Sequence, residues 1–249
     1  MSNQEKMITV RSLKAGYGEE VVLENINFDV YKGEIFVILG GSGCGKSTLL
    51  KHIIGLRTPF EGSVLIRGKD IIAAEGEQRI EIIKSFGVTY QNGALFGSMT
   101  VLENLRLSLE EFTDLPQELM DIICVSKLEL VGLADTGHLM PSELSGGMKK
   151  RVAIARAMVL EPEILFLDEP SAGLDPISSV ELDRLIKRLS RTLGITFVVV
   201  THELESIFSI ADRVIMLDKH KKGIVAEGSP HDLRDNSDDP WVQKFFNRQ

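Results

Sequence analysis

Eight consecutive residues have the types and the spacing of a phosphate-binding loop. Residues 40–47 read Gly-Gly-Ser-Gly-Cys-Gly-Lys-Ser and lie between an apolar run and a helical pattern. Glycines let backbone N–H groups curve around a phosphate, and a helix N-terminus adds a favourable partial charge. Lys46 is then expected to reach the β- and γ-phosphates, and Ser47 is expected to hold Mg²⁺. The alternative is a merely flexible glycine turn, which the strand-to-helix context disfavours.

Two adjacent carboxylates follow another apolar run. Asp168 and Glu169 come directly after residues 164–167, which read Ile-Leu-Phe-Leu. A carboxylate beside Ser47 would complete the Mg²⁺ ligands, and the next carboxylate would orient and deprotonate an attacking water. Taken alone, Asp-Glu-Pro is more simply the exit of a strand. Together with the loop at 40–47, the pair is interpreted as a site for metal and water.

A second glycine-rich helix N-terminus occurs at residues 145–147, which read Ser-Gly-Gly. The apolar residues Met148, Val152 and Ala155 fall on one face of the helix that follows. A monomer would leave this second anion site unused, because the chain has one Gly-Lys-Ser loop. A head-to-tail homodimer would place each Ser145 turn over the nucleotide of the other chain and form two composite sites. The alternative is a helix cap of serine plus glycines, with Met148 in simple core packing.

The elements that must position these motifs follow from the apolar runs. Almost wholly apolar runs, as expected of strands covered on both faces, occur at 35–39, 164–167 and 195–200. Helical patterns occur at 46–55, 176–193 and over much of 100–160. Residues 25–30 alternate between polar and apolar, which predicts a half-exposed strand. The sequence therefore predicts an α/β fold with a helical insertion between early and late strands. Ligands of such sheets sit beyond the carboxyl ends of the strands.

Composition is that of an ordinary globular protein. The 249 residues include 28 Lys and Arg against 36 Asp and Glu, a net charge of −8, and 43% are hydrophobic; disordered and collagenous chains are thereby excluded. The acidic balance argues against nucleic acid as a partner. Cys44 and Cys124 lie in no Cys/His cluster, so neither a zinc site nor a disulfide framework is predicted.

Membrane and signal segments are not expected. No apolar run approaches the roughly 20 residues of a membrane span, and residues 1–6 lack an apolar signal region. We therefore expect a soluble, cytoplasmic protein whose membrane role, if it has one, comes through a partner.

Five motifs together resemble the ATP-binding subunits of ABC transporters, and the resemblance covers nearly the whole chain. They occur in the family's order and approximate spacing. They are the loop at 40–47, Leu-Ser-Gly-Gly-Met at 144–148, Leu-Asp-Glu-Pro at 167–170, Ser-Ala-Gly-Leu-Asp at 171–175 and Thr-His at 201–202. The resemblance implies an ATPase that converts ATP and water to ADP and phosphate, with ATP and Mg²⁺ as cofactors.

The resemblance also implies roles for single residues. Tyr17 is expected to stack on adenine, and Gln91 to link the metal and the water to the transporter interface. Glu169 is expected to be the general base, Asp175 to communicate across the dimer, and His202 to contact the γ-phosphate. Simpler alternatives are a surface turn at Tyr17, a strand-end amide at Gln91, an N-cap at Asp175 and a satisfied strand-end histidine at His202.

Three sets of site residues follow. The catalytic set is Glu169, His202 and Gln91, and the metal set is Ser47, Gln91 and Asp168. The nucleotide-binding set is Tyr17, Gly40, Gly41, Ser42, Gly43, Cys44, Gly45, Lys46, Ser47, Thr48, Ser145, Gly146, Gly147 and Asp175. Cys44 is expected to supply only its backbone.

For the fold, the resemblance implies a single ATP-binding domain over residues 1–249. It combines a RecA-like P-loop ATPase core with an N-terminal antiparallel β subdomain and an inserted helical subdomain. The core is assigned to 1–90 and 160–232, and the helical subdomain to 91–159. Residues 233–249 form a short tail, which we expect to pack on its own domain and not to make a dimer contact.

One departure from the commonest family pattern narrows the resemblance. The signature ends in Met148 where glutamine is usual, and this resembles the branch that serves Mla-type (lipid-asymmetry) and related Mce-associated lipid transporters. Segments at 90–96, 148–153, 169–173 and 237–240 are similar to the same branch. The implied partners are a second copy, transmembrane permease subunits and, as a further candidate, a lipid-binding Mce-type subunit. The implied substrate is phospholipid, and the implied location is the cytoplasmic face of the inner membrane.

The segment after Gln91 is expected to border a groove for a membrane subunit. Gly93 and Ala94 leave room there, and Leu95 and Phe96 supply apolar anchors for a short helix. The alternative places Leu95 and Phe96 in the core of the helical subdomain.

Two other functions remain open. An ATPase of a small-solute transporter would share every catalytic residue. A soluble nucleotide switch, such as an iron–sulfur assembly or repair scaffold, is of a different class. A second ATP domain or a very long coiled-coil insertion would favour that switch, and neither occurs in this sequence.

Overall fold

Ten strands form two sheets in a computed structural model that describes residues 4–247. Numbered in chain order, the strands are β1 Lys6–Tyr17, β2 Glu20–Tyr31, β3 Ile35–Gly40, β4 Glu61–Ile66, β5 Lys69–Asp70, β6 Phe86–Thr89, β7 Ile164–Asp168, β8 Thr196–Val200, β9 Arg213–Asp218 and β10 Gly223–Gly228. The first three residues of the predicted signal-free N-terminus, and the last two of the predicted tail, lie outside the described residues.

Nine α-helices lie within residues 4–247. They are α1 Lys46–Ile53, α2 Gly76–Lys84, α3 Val101–Phe112, α4 Gln117–Leu130, α5 Gly146–Ala157, α6 Pro176–Leu193, α7 Leu204–Ile210, α8 Pro230–Asn236 and α9 Pro240–Phe246. Helices α3, α4 and α5 lie between β6 and β7, where the sequence predicts a helical insertion.

The larger sheet has the order β10-β9-β3-β8-β7-β6. Its strands are parallel except β10, which runs antiparallel to β9. The smaller sheet is antiparallel, with the order β2-β1-β4-β5. In β2, Ile26, Phe28 and Val30 are buried whereas Asn25 and Asn27 are exposed, so the predicted alternation is confirmed.

Neighbouring residues of the central strands enter two different cores. Val37 and Leu39 of β3 pack with the core that helices α3 to α9 cover. Phe36 and Ile38 pack with the core between this sheet, α1 and the antiparallel sheet. Both faces of the sheet are therefore buried, which explains why the sequence of β3 does not alternate between polar and apolar.

The register of the central strands brings three chain segments to one edge. Ile38 of β3 pairs with Val200 of β8, and Val200 also pairs with Asp168 of β7. The residues that follow these positions leave the sheet side by side. Sequence motifs more than a hundred residues apart thus meet at the carboxyl edge.

Candidate active site

An open cleft of about 680 Å³ lies at this carboxyl edge. Its walls come from the last residues of β1 and β3 and from the segments that follow β3, β6, β7 and β8, with further residues from β2, α1 and α9. The lining residues are Tyr17, Val22, Gly40, Gly41, Ser42, Gly43, Gly45, Lys46, Ser47, Thr48, Gln91, Glu169, His202 and Phe245. The cleft therefore unites most of the site residues that the sequence predicts.

The phosphate loop (residues 40–47) turns the chain from β3 into α1 through conformations that glycine adopts easily. Gly45 caps α1 with φ +102° and without a side-chain hydrogen bond, so the first N–H groups of the helix stay available to a ligand. At Gly40, a Cβ would lie 2.5 Å from the carbonyl oxygen of Leu217 on the neighbouring β9. Only glycine fits that position without moving β9.

Lys46 spans the phosphate loop. Its Nζ donates to the carbonyl oxygens of Gly40 (2.8 Å) and Gly41 (3.2 Å). A phosphate oxygen is a stronger acceptor for an ammonium group than these neutral carbonyls. Cys44 is buried beneath the loop, and burial raises the pKa of its thiol, so it offers the cleft no reactive sulfur.

Asp168 and Glu169 each carry an unsatisfied oxygen. Asp168 Oδ1 and Glu169 Oε2 are buried and have no hydrogen-bond partner within residues 4–247. Burial, and secondly the charge of Glu169, raises the pKa of Asp168. Buried carboxylate oxygens without donors are costly, and a bound cation or an ordered water would relieve that cost.

The oxygen ligands present fit Mg²⁺. Mg²⁺ prefers one or two carboxylates together with substrate phosphates and waters, and Asp168 offers a carboxylate while Ser47 offers a hydroxyl. Among the described residues, no group of three or more His, Cys, Asp or Glu side chains is arranged to hold a metal.

Glu169 and His202 form a direct pair. Glu169 Oε1 lies 2.9 Å from His202 Nδ1, and the His202 side chain is 61% exposed whereas that of Glu169 is 13% exposed. The backbone of Glu169 has φ +47°, a left-handed conformation that is strained for a glutamate. His202 is therefore satisfied by hydrogen bonding and also lines the cleft, so its two sequence interpretations are compatible.

Tyr17 is fixed at the mouth of the cleft. Thr48 Oγ1 donates to its hydroxyl at 2.8 Å, and the guanidinium carbon of Arg57 lies 4.4 Å from its ring centroid. The cation and the hydroxyl bond hold the ring from two sides, while 37% of the residue stays exposed. Tyr17 is thus an ordered, partly exposed residue at the end of β1 that lines the cleft.

The second predicted anion site lies outside this cleft. Ser145 caps α5, because its Oγ accepts from the N–H of Met148 (3.2 Å). Asp175 caps α6, because its Oδ1 accepts from the N–H groups of Ile177 and Ser178, each at 3.0 Å. Both capping alternatives are correct as local structure. They do not compete with a ligand role, because both caps remain exposed.

The two capping turns share one surface. A Cβ on Gly146 would lie 3.5 Å from the Leu174 side chain, and one on Gly147 would lie 3.7 Å from Ser178. Ser178 in turn donates to Asp175 at 2.5 Å. The Ser145 turn and the Asp175 turn therefore form one exposed patch, away from the phosphate loop of the same chain.

The two apolar residues at the end of the segment 91–96 differ in burial. Leu95 is partly buried and packs against the core that contains α3 to α9, whereas Phe96 is 50% exposed. The core alternative is thus correct for Leu95, whereas Phe96 is exposed. Gln91 is exposed and lines the cleft.

Three residues at the site are absent from the sequence-based prediction. Val22 of β2 and Phe245 of α9 line the cleft, and Lys150 of α5 is buried directly behind it. Val22 lies in a strand that the alternation predicts only from residue 25 onward. Phe245 belongs to the tail, which packs on its own domain as predicted, with Val242 and Phe246 buried. Lys150 carries no sequence signal, since a lysine in a basic run is usually exposed.

Membrane-spanning helices are not found among residues 4–247. None of the described helices combines the length and the apolar character that crossing a bilayer requires.

Comparisons with known proteins agree with the geometry. The ABC transporter family model matches residues 23–172. Over 239 residues the chain is 41% identical to the intermembrane phospholipid transport system ATP-binding protein MlaF of Haemophilus influenzae, covering 96% of this chain and 90% of that protein. It is 40% identical over 240 residues to the probable ribonucleotide transport ATP-binding protein mkl of Mycobacterium leprae, covering 96% and 68%. The ATP-binding cassette MJ0796, solved as a dimer with ADP and Pi after hydrolysis, matches with a TM-score of 0.79, 31% identity and coverage of 90% and 98%.

Proposed function

The chain belongs to the ABC transporter family and is an ATP-hydrolysing subunit that powers a membrane transporter, and on this premise we propose that the transported substrate is phospholipid. The main support for phospholipid as the substrate is the 41% identity, over 96% of the chain, to a phospholipid transport ATP-binding protein. The Met148 ending of the signature agrees with it. The mkl relative, at 40% identity, makes ribonucleotide the second candidate.

We assign the nucleotide to the cleft on the basis of its lining. The phosphate loop offers N–H groups and the Lys46 ammonium to the phosphates, and Tyr17 offers a flat ring to adenine. Mg²⁺, when bound, would neutralise charge on the phosphates, and Ser47, Gln91 and Asp168 are the residues proposed to hold it. Thr48 supports the site by fixing the hydroxyl of Tyr17.

Glu169 is proposed to act as the general base. One of its oxygens is held by His202, and the other is buried without a donor among the described residues. The free oxygen can accept the proton of a water that attacks the γ-phosphate, while the bond to His202 keeps the carboxylate from rotating away. His202 is proposed to reach the γ-phosphate with its remaining ring nitrogen.

Two copies in head-to-tail arrangement are proposed to complete the site. Each exposed Ser145 turn, with Gly146 and Gly147, would cover the γ-phosphate held by the other chain, and Asp175 would lie at the same interface. The separation of the two anion sites within one chain supports this arrangement. The dimeric state of the MJ0796 cassette supports it as well.

Membrane partners are proposed to dock beside Gln91. The exposed Phe96 offers an apolar anchor next to residues that line the cleft, which suits a short helix of a permease subunit. We propose that the chain sits on the cytoplasmic face of the inner membrane through such subunits, with a lipid-binding Mce-type subunit as a further component. From the resemblance to ABC ATP-binding subunits, we also propose a division of the chain into a core (1–90 and 160–232), a helical subdomain (91–159) and a tail (233–249).

Lipid transfer by the assembled transporter tests the substrate. The complex of this chain with its membrane subunits is purified in mild detergent, and its bound lipid is analysed. The complex is then reconstituted, and the transfer of lipid between labelled vesicles is measured with and without ATP. Bound phospholipid and transfer that needs ATP are expected, with Glu169→Gln as the matched inactive control. Absence of lipid and of transfer, together with ATPase stimulation by a ribonucleotide or another small solute, would reject phospholipid and leave the ATPase assignment intact.

A further inference from the structure

Lys150 is a buried cation directly behind the catalytic carboxylate. It is 9% exposed, and its Nζ donates to the carbonyl oxygen of Gln91 and to that of Glu169 (3.2 Å). Burial lowers the pKa of its ammonium group, and the charges of Glu169, Glu203 and Asp168 oppose that effect. Burying an ammonium group on neutral carbonyls is costly, so filling space does not by itself explain a lysine at this position.

The contact with Glu169 stabilises an unusual backbone. Glu169 has φ +47°, its N–H donates to the carbonyl oxygen of Val200 at 2.8 Å, and its own carbonyl accepts from Lys150. The strained peptide is thus fixed on one side by β8 and on the other by Lys150. Because the side chain direction follows from the backbone, Lys150 helps set where the Glu169 carboxylate points.

The same helix also holds the segment that carries Gln91. Arg156 of α5 donates to the carbonyl oxygens of Gly93 (3.0 Å) and Ala94 (2.8 Å), and Lys150 holds that of Gln91. Two buried or half-buried cations of α5 therefore hold three carbonyls of this segment. A displacement of α5 would move Gln91 and the Glu169 peptide together.

The N-terminus of α5 is the Ser145 turn. Lys150 follows Ser145 by five residues, about 7 Å along the helix axis. In the proposed dimer, this turn meets the nucleotide held by the other copy, whereas Lys150 contacts Glu169 of its own chain. One short, rigid helix thus spans the distance between one nucleotide and the base that acts on the other.

We propose that Lys150 is a positioning residue that couples the nucleotide bound by the partner copy, at the Ser145 turn, to the Glu169 base of its own chain. This proposal rests on the proposed head-to-tail dimer. When the γ-phosphate of the nucleotide bound by the partner docks at the Ser145 turn, it fixes the position of α5. Lys150 then holds the left-handed Glu169 peptide and the Gln91 segment in the arrangement required for hydrolysis. The two sites consequently hydrolyse ATP with positive cooperativity, because each base is set by the other site's ATP.

The test compares three variants in the assembled transporter. Lys150→Met removes the charge and all donors, Lys150→Arg keeps both, and Lys149→Met is the matched control. Lys149 is the adjacent lysine, and its side chain has no hydrogen bond or ion pair within residues 4–247. ATP affinity, kcat, the Hill coefficient for ATP and the Tm are measured for each.

Lys150→Met is expected to lower kcat by about tenfold or more and to reduce the Hill coefficient to about 1. ATP affinity is expected to be retained, because the cleft residues are unchanged, whereas the Tm is expected to fall modestly, because the carbonyl oxygens of Gln91 and Glu169 lose their donor. Lys150→Arg is expected to restore part of kcat and of the cooperativity, and Lys149→Met to behave as the unsubstituted chain. A purely structural role would lower the Tm in the same way but leave kcat and the Hill coefficient unchanged.

Two results would overturn the coupling. One is Lys150→Met with unchanged kcat and Hill coefficient; the other is an unsubstituted transporter without cooperativity. If Lys150→Met does not fold, Lys150→Gln replaces it, since its shorter amide cannot hold both carbonyls, and the same expectations apply. ATP-dependent dimerisation of Glu169→Gln is measured in parallel: if that dimer forms and Lys150→Met stays cooperative, the coupling fails while the proposed function stands.

Discussion

At the level of single residues, several charged groups of the cleft lack hydrogen-bond partners or have only neutral ones. Asp168 Oδ1 and Glu169 Oε2 are buried without donors in the described part of the chain, and Lys46 donates to neutral carbonyls of its own loop. Such a site is poised for a ligand that brings both negative charge and a cation. A magnesium nucleotide has both properties.

One carboxylate outside the cleft gives a pH-dependent prediction. Burial raises the pKa of Asp183 from 3.8 to about 6, although Ser206 Oγ lies 3.0 and 2.9 Å from its two oxygens. Between pH 3.8 and about 6, the folded chain therefore holds the proton of Asp183 more tightly than the unfolded chain does. The stability that this protonation contributes is full below pH 3.8 and is lost as the pH rises through about 6.

Asp183→Asn removes this titration while keeping an acceptor for Ser206. The stability of the variant relative to the unsubstituted chain is expected to be higher by about 1.4 kcal/mol at pH ~7.5 than at pH ~5. Urea unfolding at the two pH values measures the difference. A relative stability that is the same at both would show that Asp183 titrates normally.

The sequence predicts a motif correctly where residues close together in the chain determine its backbone conformation. The loop at 40–47, the carboxylates at the end of β7 and the cap at Ser145 all depend on near neighbours in the chain, and each lies where the sequence predicts it. Lys150 could not be predicted, because its two acceptors lie 59 and 19 residues away. Its role is created by tertiary contacts alone.

At the level of elements, α6 is predictable to its ends whereas other elements are not. Asp175 and Pro176 mark its start and Gly194, with φ +68°, marks its end, and such caps are readable in a sequence. Periodicity does not predict the strand β1, because register shifts and a positive φ at Ser12 interrupt its alternation. The edge strand β10 is half-exposed throughout most of its length and shows no clear pattern.

The packing of α5 against β6 gives a prediction at this scale. A Cβ on Gly87 of β6 would lie 2.1 Å from the carbonyl oxygen of Ala157 at the end of α5. Gly87→Ala must therefore push the helix away, and is expected to destabilise the fold by about 1–3 kcal/mol and to lower ATPase activity. Gly97→Ala is the matched control, because its Cβ would meet no atom within 4 Å. Chemical unfolding of both variants measures the effect; equal stabilities would contradict this packing.

At the level of the whole molecule, one chain carries the two halves of the proposed composite site at separate places. The cleft holds the phosphate loop and Glu169, the proposed base, while the Ser145 and Asp175 turns form an exposed patch elsewhere. The arrangement makes sense when two copies exchange these halves, so that ATP lies between them and its hydrolysis lets them part.

ATP-dependent dimerisation of Glu169→Gln, followed by sedimentation, tests this account most directly. The amide keeps the shape of the carboxylate but cannot accept the proton, so the ATP-bound dimer should accumulate. We expect dimer with ATP and Mg²⁺, monomer with ADP, and monomer under both conditions when Ser145→Arg is added, because bulk and positive charge then block the partner's phosphate. Monomer throughout, or a dimer that survives Ser145→Arg, would contradict the composite site.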